Sequence, residues 1–93
     1  MSKVSVIIPT YNREAVVLRA LRSVFAQDHA VDQVIVVDDG STDDTIEQVE
    51  RNFPGVELIA QTNHGVSHAR NRGIERARNE WFAFLGSDDE WLP

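Results

Sequence analysis

Several features are missing from this sequence of 93 residues, and each absence excludes a class of protein. There is no cysteine, so neither a disulfide framework nor a thiolate metal site is available. Basic residues are scarce, because 9 Lys and Arg stand against 15 Asp and Glu and give a net charge of −6. Since nucleic-acid binders carry a basic surface, we predict that this chain has no nucleic-acid partner.

Long hydrophobic runs are missing as well. No stretch approaches the roughly 20 apolar residues of a membrane span. The N-terminal sequence MSKVSVIIP contains no signal-peptide core. We therefore predict a chain without a membrane segment and with a cytoplasmic location, while membrane attachment of a longer parent stays open. The length fits one small domain, and 42% hydrophobic and 26% charged residues are typical of globular proteins.

Four short apolar runs predict β-strands. They cover residues 4–8, 34–37, 56–60 and 81–85. The first, second and fourth runs are nearly continuous, as is typical of strands buried on both faces of a sheet. Turn residues and polar segments bound each run, so we expect four strands rather than buried helical segments.

Apolar residues at helical spacing fill the three intervals between the strands. The first helix is predicted over residues 14–27 with Asn12 as N-cap, and the second after Ser41 or Thr42. We expect the arginines at 72, 76 and 78 to form a solvated face of the third helix. The predicted apolar faces are Val17, Leu21, Val24 and Phe25 in the first helix, Ile46, Val49 and Phe53 in the second, and Val66, Ala69, Gly73, Ile74 and Ala77 in the third. The order β-α-β-α-β-α-β predicts an α/β fold with parallel strands.

A polar cluster follows every predicted strand. In open parallel sheets, ligands bind outside the carboxyl ends of the strands. We therefore expect at least four carboxylates, one aromatic ring and one arginine to meet in a single cleft. The clusters are Pro9-Thr10-Tyr11-Asn12, Asp38-Asp39-Gly40-Ser41, Thr62-Asn63-His64-Gly65 leading into Arg70, and Gly86-Ser87-Asp88-Asp89.

The pair Asp88-Asp89 has two interpretations. A divalent cation such as Mg²⁺ or Mn²⁺ would relieve the repulsion between adjacent carboxylates and would bind a diphosphate. Alternatively, the two acids are solvated turn residues, with Asp88 capping a following helix.

The residues after the first two strands also allow two interpretations. One carboxylate of Asp38-Asp39 would accept a hydrogen bond from a base or a ribose, or the Asp-Gly pair is a turn and Ser41 caps a helix. The ring of Tyr11 would stack on a flat ligand, or it covers the start of the first helix.

Four segments together resemble family 2 glycosyltransferases with the GT-A fold. They are VSVIIPTYNR, VIVVDDGSTDDT, NHGVSHARNRGI and WFAFLGSDDEWLP, in this order and at this spacing. The resemblance covers the whole chain and implies a three-layer, Rossmann-like α/β fold with a mostly parallel sheet. It implies that residues 1–93 are the N-terminal nucleotide-sugar-binding part of a truncated domain.

The resemblance also implies a reaction and a set of site residues. Family members transfer a sugar from a nucleotide-sugar donor, often UDP-linked, with inversion at the anomeric carbon. Here the acceptor is unknown. By resemblance, Asp39 accepts from the base, Asp88 meets the ribose, and Asp89 binds Mn²⁺ or Mg²⁺. The other expected nucleotide-binding residues are Pro9, Thr10, Tyr11, Asp38 and Arg70.

Two departures from the family pattern matter. Gly86 stands where many relatives carry the first acid of Asp-Ser-Asp-Asp. The family's catalytic base lies downstream of Pro93, so we expect these 93 residues to bind the donor without catalysing transfer. The exposed sheet edge of a truncated domain predicts self-association.

Two other classes of protein fit parts of the pattern. One is a non-catalytic nucleotide-sugar-binding or interaction module. The other is a receiver-like or phosphatase-like domain, which generally uses a lysine near the phosphate. The only lysine of the sequence, Lys3, precedes the first strand and lies at the wrong end for that role.

Overall fold

The sequence folds into a four-stranded sheet flanked by three helices. The computed structural model describes residues 4–26, 31–79 and 81–86. The strands are β1 (Val4–Thr10), β2 (Val31–Asp39), β3 (Glu57–Gln61) and β4 (Trp81–Phe84), and the helices are α1 (Glu14–Phe25), α2 (Thr45–Asn52) and α3 (Val66–Arg76). The predicted element order is confirmed.

The strands are all parallel and lie in the order β3-β2-β1-β4. Successive side chains of a strand point to opposite faces of the sheet. Val34 and Val36 of β2 therefore join the core beneath α1 and α2, whereas Ile35 and Val37 join the smaller core beneath α3. The result is the three-layer α/β fold that the sequence predicted.

Helix α3 approaches the sheet closely because it carries Gly73. A Cβ atom built on Gly73 would lie 2.3 Å from Cγ2 of Ile7 in β1, so the helix requires a glycine at this crossing. The prediction of an apolar face on α3 is only partly confirmed, since Ala69 is buried while Val66 and Ile74 are exposed. The reason is that backbone proximity at Gly73, rather than a wide apolar stripe, brings this helix against the sheet.

Strand β4 differs from the prediction of a strand buried on both faces. Leu85, which follows it, joins the core beneath α1, but Phe82 and Phe84 are 43% and 41% exposed. Helix α3 packs on β1 and β2, so it leaves this face of β4 uncovered. The two rings contact each other edge to face at 5.6 Å.

Two predicted helix caps are also wrong. Helix α1 begins after Arg13 without a side-chain cap, because Asn12 bonds to the loop before α2 instead. Helix α2 begins at Thr45, which is four residues after Ser41 and three after Thr42, the two predicted caps. Ser41 is engaged elsewhere through its hydroxyl group, which donates to Asp38 at 2.5 Å.

A polar network occupies the amino edge of the sheet, which we define by Ser5, Asp32, Gln33, Glu57, Arg76, Arg78 and Asn79. The buried Gln33 amide donates to Oε1 of Glu57 and to the Arg76 carbonyl group, and accepts from Oγ of Ser5 and N of Arg78. Arg78 also pairs with Asp32 at 3.2 Å and with Glu57 at 3.4 Å.

Two of the arginines expected to form a solvated face therefore have specific partners. Besides the contacts of Arg78, Nε of Arg76 lies 3.3 Å from Oε2 of Glu57. The acidic partners, Asp32 and Glu57, lie on neighbouring strands and reach the arginines because of the strand register. The helical periodicity of the α3 sequence carries no information about that register. Within the described residues, each helix falls short of the length and apolarity that crossing a bilayer requires.

Candidate functional site

The strand register brings three of the predicted polar clusters to one edge of the sheet. Thr10 at the end of β1 pairs with Asp38, and Asp39 pairs with Gln61 at the end of β3. Strand β4 runs parallel to β1, with Phe84 opposite Ile7. We call this side, where β1, β2 and β3 end, the carboxyl edge of the sheet.

The two acids at the end of β2 face opposite layers. Asp38 follows the alternation of Val34 and Val36 and lies on the side of α1 and α2. Asp39 follows Val37 and lies on the side of α3. The pleat thus separates two adjacent carboxylates that would otherwise repel each other, and gives each its own set of donors.

Asp39 is 7% exposed and accepts three hydrogen bonds. Its Oδ1 atom accepts from Nε2 of Gln61 at 2.8 Å and from N of His64 at 2.8 Å, and its Oδ2 atom accepts from N of Gly65 at 3.0 Å. Burial alone would raise the pKa of Asp39, but these hydrogen bonds outweigh burial and hold the pKa below its ordinary value. Asp39 is therefore a stable, preorganised anion.

A carboxylate offers about four lone-pair sites. The described contacts of Asp39 occupy two on Oδ1 and one on Oδ2, so Oδ2 retains room for one more donor. Gly65 also begins α3 with φ +94, a left-handed backbone conformation that favours glycine. This backbone conformation directs the N–H group of Gly65 towards Asp39.

Asp38 has a different environment. It is fully buried, and its two oxygens accept from N of Ser41 at 2.9 Å and from Oγ of Ser41 at 2.5 Å. A second acid nearby, Asp43, accepts from both N and Oγ1 of Thr45 at the start of α2. The bond from the Thr45 hydroxyl group lowers the pKa of Asp43, against an opposing effect of burial. Both acids order the loop between β2 and α2.

A pocket of about 260 Å³ lies between the end of β1 and the start of α3. Four predicted nucleotide-binding residues meet there, and three unpredicted ones complete its lining. The predicted residues are Pro9, Thr10, Tyr11 and Asp39, and the unpredicted ones are Arg13, Val66 and Ala69. The candidate site is therefore mostly apolar, with one anionic group and one cationic group.

One polar group of this pocket is left without a partner. Thr10 is 4% exposed, and its Oγ1 atom finds no hydrogen-bond partner within the described part of the chain. A buried hydroxyl group without a hydrogen bond is costly. Tyr11, by contrast, is 46% exposed, so one face of its ring is accessible. The Thr10 hydroxyl group is itself buried and shares the face of β1 with Val6 and Ile8, so the pocket offers a ligand the aromatic surface rather than this group.

Among the remaining predicted site residues, those that the structure describes do not line this pocket. The guanidinium group of Arg70 lies 5.6 Å from the centre of the Phe84 ring, on the β4 side of α3. Asp88 and Asp89, the predicted ribose and metal ligands, lie outside the described residues. Among the residues that the structure does describe, no three His, Asp or Glu side chains are grouped to hold a metal ion.

Sequence reasoning placed His64 and Gly65 in the polar cluster after β3 but did not predict that they donate to Asp39, and it missed Gln61. It also missed Arg13, which lies between the predicted cap Asn12 and the predicted first helix. Its position directly after Tyr11 and Asn12 was the available signal.

Comparison with known proteins identifies the family. The model of "Glycosyl transferase family 2" matches residues 5–93. The chain belongs to glycosyl transferase family 2. An uncharacterized glycosyltransferase of Escherichia coli K12, YibD, is 41% identical over 95 residues, which is 99% of this chain and 28% of the relative. This family 2 chain therefore spans less than a third of the length of that relative.

Solved structures of family members share its fold. Staphylococcus aureus TarS 1–349, solved in complex with UDP-GlcNAc, superimposes with a TM-score of 0.82 at 38% identity, covering 95% of this chain and 27% of TarS. The mannosyltransferase PcManGT of Pyrobaculum calidifontis, solved with GDP-Man and Mn²⁺, gives a TM-score of 0.85 at 31% identity, covering 99% and 29%. The GT-A fold that the resemblance implied is thereby confirmed.

Proposed function

We propose that this chain is the donor-binding part of a glycosyltransferase, and that it binds a UDP-sugar at the carboxyl edge of its sheet. The observation that carries this proposal is the pocket in which Asp39, Thr10 and Tyr11 meet. Similarity to TarS, which was solved with UDP-GlcNAc, supports a uridine donor. PcManGT was solved with GDP-Man, so the identity of the base needs a direct test.

The pocket provides complementary groups for a nucleobase. The free lone pair on Oδ2 of Asp39 accepts from a ring N–H, such as that of uracil. The Tyr11 ring supplies a stacking surface beside the apolar side chains of Val66 and Ala69. Because Asp39 is already ionised and oriented, binding requires little reorganisation.

Cationic groups near the pocket suit the diphosphate of the donor. Arg13 lines the pocket, and Arg70 lies above β4. A net charge of −6 makes such local cations necessary, because the chain as a whole repels an anionic ligand. We propose that Arg70 reaches the diphosphate or base by leaving the ring of Phe84. Asp38 and Asp88 remain predicted contacts of the nucleotide, with Asp88 at the ribose.

The proposed metal site depends on Asp89, which the described residues do not include. PcManGT, which was solved with Mn²⁺, supports a divalent cation for this chain. When bound, Mn²⁺ or Mg²⁺ would neutralise charge on the diphosphate leaving group.

Transfer itself requires groups that we place outside these 93 residues. An acceptor hydroxyl group must lose its proton to a general base as it attacks the anomeric carbon. By family resemblance we propose transfer with inversion, a base located beyond Pro93 and an unknown acceptor. The 93-residue chain alone is therefore expected to bind donor without turnover. The cytoplasmic location that the N-terminal sequence favours stays a prediction.

A thermal-shift panel with UDP, GDP, CDP and dTDP tests the proposal, each nucleotide with and without Mn²⁺. A ligand present at about 100 times its Kd stabilises the native state by about 2.7 kcal/mol, so binding raises the Tm measurably. We expect UDP to give the largest increase and Asp39→Asn to remove most of it. Asp44→Asn, an exposed acid before α2, is the matched control and keeps the increase. A larger response to GDP would overturn the uridine assignment, and no response to any nucleotide would overturn the donor site.

Self-association through the β4 edge remains part of the proposal. The exposed rings of Phe82 and Phe84 lie on an edge strand, where unpaired backbone groups also invite pairing. Light scattering at increasing concentration should show oligomers that the double change Phe82→Ser and Phe84→Ser reduces. A monomer at the highest concentration reached would contradict this proposal.

A further inference from the structure

Asn12 adopts an unusual backbone conformation. Its φ of 48 makes it the single non-glycine residue with positive φ among the residues that the structure describes. Asparagine tolerates this left-handed region better than most residues, because its short polar side chain can bond locally. It directly follows Tyr11 and directly precedes Arg13, so the bend that it makes sets the path of two pocket-lining residues.

Both the backbone and the side chain of Asn12 bond to the loop that follows β2. Its N–H donates to Oγ of Ser41 at 2.8 Å. Its Oδ1 accepts from N of Thr42 at 2.7 Å and from N of Asp43 at 3.4 Å. Oγ of Ser41 in turn donates to the buried carboxylate of Asp38. A continuous chain of hydrogen bonds therefore joins the loop after β1 to the end of β2.

We propose that Asn12 is a positioning residue for nucleotide binding, which holds the loop after β1 against the loop after β2 and so fixes Tyr11 opposite Asp39. The inference rests on the proposed function of the pocket. Tyr11 is 46% exposed, so packing alone constrains its ring weakly. The bonds of the neighbouring residue supply the missing constraint. Preorganisation of this kind lowers the entropy that binding must overcome.

Three changes separate the backbone role of Asn12 from its side-chain role. Asn12→Gly accepts the left-handed backbone but loses the Oδ1 acceptor. Asn12→Asp retains an oxygen that accepts from Thr42 and Asp43. Asn12→Ala loses the acceptor and disfavours the bend. Asn52→Ala is the matched control, since Asn52 is exposed on α2 and its hydrogen bonds are local, to Gln48.

Fluorine NMR provides a readout that stability alone does not move. The chain contains one tyrosine, so incorporated fluorotyrosine reports on Tyr11 alone. In the free protein, we expect Asn12→Ala and Asn12→Gly to shift and broaden this resonance, while Asn12→Asp and Asn52→Ala keep the wild-type signal. UDP affinity, measured by calorimetry well below the Tm of each variant, should fall about tenfold in the first two, which corresponds to about 1.4 kcal/mol.

The outcomes distinguish this inference from the proposed function. An unchanged fluorine resonance in Asn12→Ala would overturn the positioning role, even if the Tm falls. A wild-type resonance and affinity in Asn12→Gly would also overturn it, because the backbone bend alone would then suffice. If wild-type protein binds no nucleotide, the proposed function fails, whereas the fluorine resonance still decides whether Asn12 orders Tyr11.

Discussion

At the amino edge of the sheet polar side chains bond to one another, whereas at the carboxyl edge several keep unused hydrogen-bonding capacity. Gln33 is 5% exposed, and its amide bonds to Ser5, Glu57 and two backbone groups. Thr10 is equally buried, yet its hydroxyl group finds no partner among the described residues. Asp39 retains one lone-pair site. Both edges belong to the same strands. We propose that Asp39, which lines the pocket, is the group available to a ligand.

Cavity volume does not distinguish the two edges. The amino edge also borders a cavity, of about 210 Å³, lined by Gln33, Glu57 and Arg78 among others. The polar groups of these three residues contact one another or neighbouring backbone, so a ligand there would have to break existing bonds. The pocket at the carboxyl edge requires no such exchange at the free lone-pair site of Asp39. The predictions that follow test this contrast.

The largest expected effect is on stability, from Gln33→Ala at the amino edge. This change removes the acceptor of the Ser5 hydroxyl group and of the Arg78 amide, and one donor to the Arg76 carbonyl group. We expect a cost of about 3 kcal/mol in the free energy of unfolding. Urea denaturation measures this loss. UDP affinity at a temperature where the variant is folded should remain at the wild-type value. Gln48→Ala on α2 is the control and should cost less than about 0.5 kcal/mol. A loss of UDP affinity in Gln33→Ala would remove the distinction between the edges.

Asp39→Asn should lower both the free energy of unfolding and the affinity for UDP. The change replaces an acceptor by an NH₂ group facing donors, and we expect a loss of about 2 kcal/mol at neutral pH, with UDP affinity reduced as well. The folded-state pKa of Asp39 is lowered, so its ionisation stabilises the fold above the unfolded pKa of about 3.9 and that contribution is lost as pH falls through the folded value. The difference in the free energy of unfolding between wild type and Asp39→Asn should therefore become smaller as the pH falls.

Urea denaturation from about pH 6 to pH 2 measures this difference across the range in which aspartate titrates. Asp43→Asn provides the comparison, since the pKa of Asp43 is also lowered but its partner is Thr45 at the start of α2. The difference in stability between wild type and Asp43→Asn should narrow likewise, and UDP affinity should fall less than in Asp39→Asn because Asp43 does not line the pocket. If the difference in the free energy of unfolding between wild type and Asp39→Asn stays constant down to the lowest pH, the carboxylate does not stabilise the loop after β3.

Thr10→Val should produce the smallest change in stability, and with the opposite sign. It replaces an unpaired buried hydroxyl group by a methyl group of similar size, so the free energy of unfolding should rise by up to about 1 kcal/mol. UDP affinity should remain at the wild-type value, because the buried hydroxyl group lies on the face of β1 opposite to Asp39. Ser67→Ala, at an exposed residue of α3, is the control. Lower stability would mean that the hydroxyl group has a partner in the folded protein, and a tenfold loss of affinity would mean that it reaches the ligand.

The sequence was sufficient to predict the element order and the edge of the sheet at which the polar clusters after β1, β2 and β3 meet. Continuous apolar runs and their turn residues determine the order of strands and helices, and parallel strands bring their ends together. The sequence was also sufficient to single out Asp39, although it could not separate its role from that of Asp38. That separation depends on which face of β2 each side chain occupies, and hence on the positions of α1 and α3.

Contacts between loops were beyond sequence reasoning. Asn12 satisfies the local rule for a helix cap, but its side chain bonds to Thr42, 30 residues away, because the two loops meet at the carboxyl edge. The exposure of Phe82 and Phe84 was missed for a related reason. An apolar strand predicts burial, whereas the actual exposure depends on where α3 crosses the sheet, and Gly73 fixes that crossing over β1.

A titration of labelled protein with UDP and Mn²⁺, followed by the backbone amide resonances, tests the central claim most directly. The account predicts that the largest shifts fall on Thr10, Tyr11 and Asp39 and on the Gly65 amide that bonds to it. The amide resonances of Gln33 and Arg78 at the amino edge should not shift by more than the experimental error. Shifts concentrated at the amino edge, with the carboxyl edge unaffected, would contradict the assignment of the donor site.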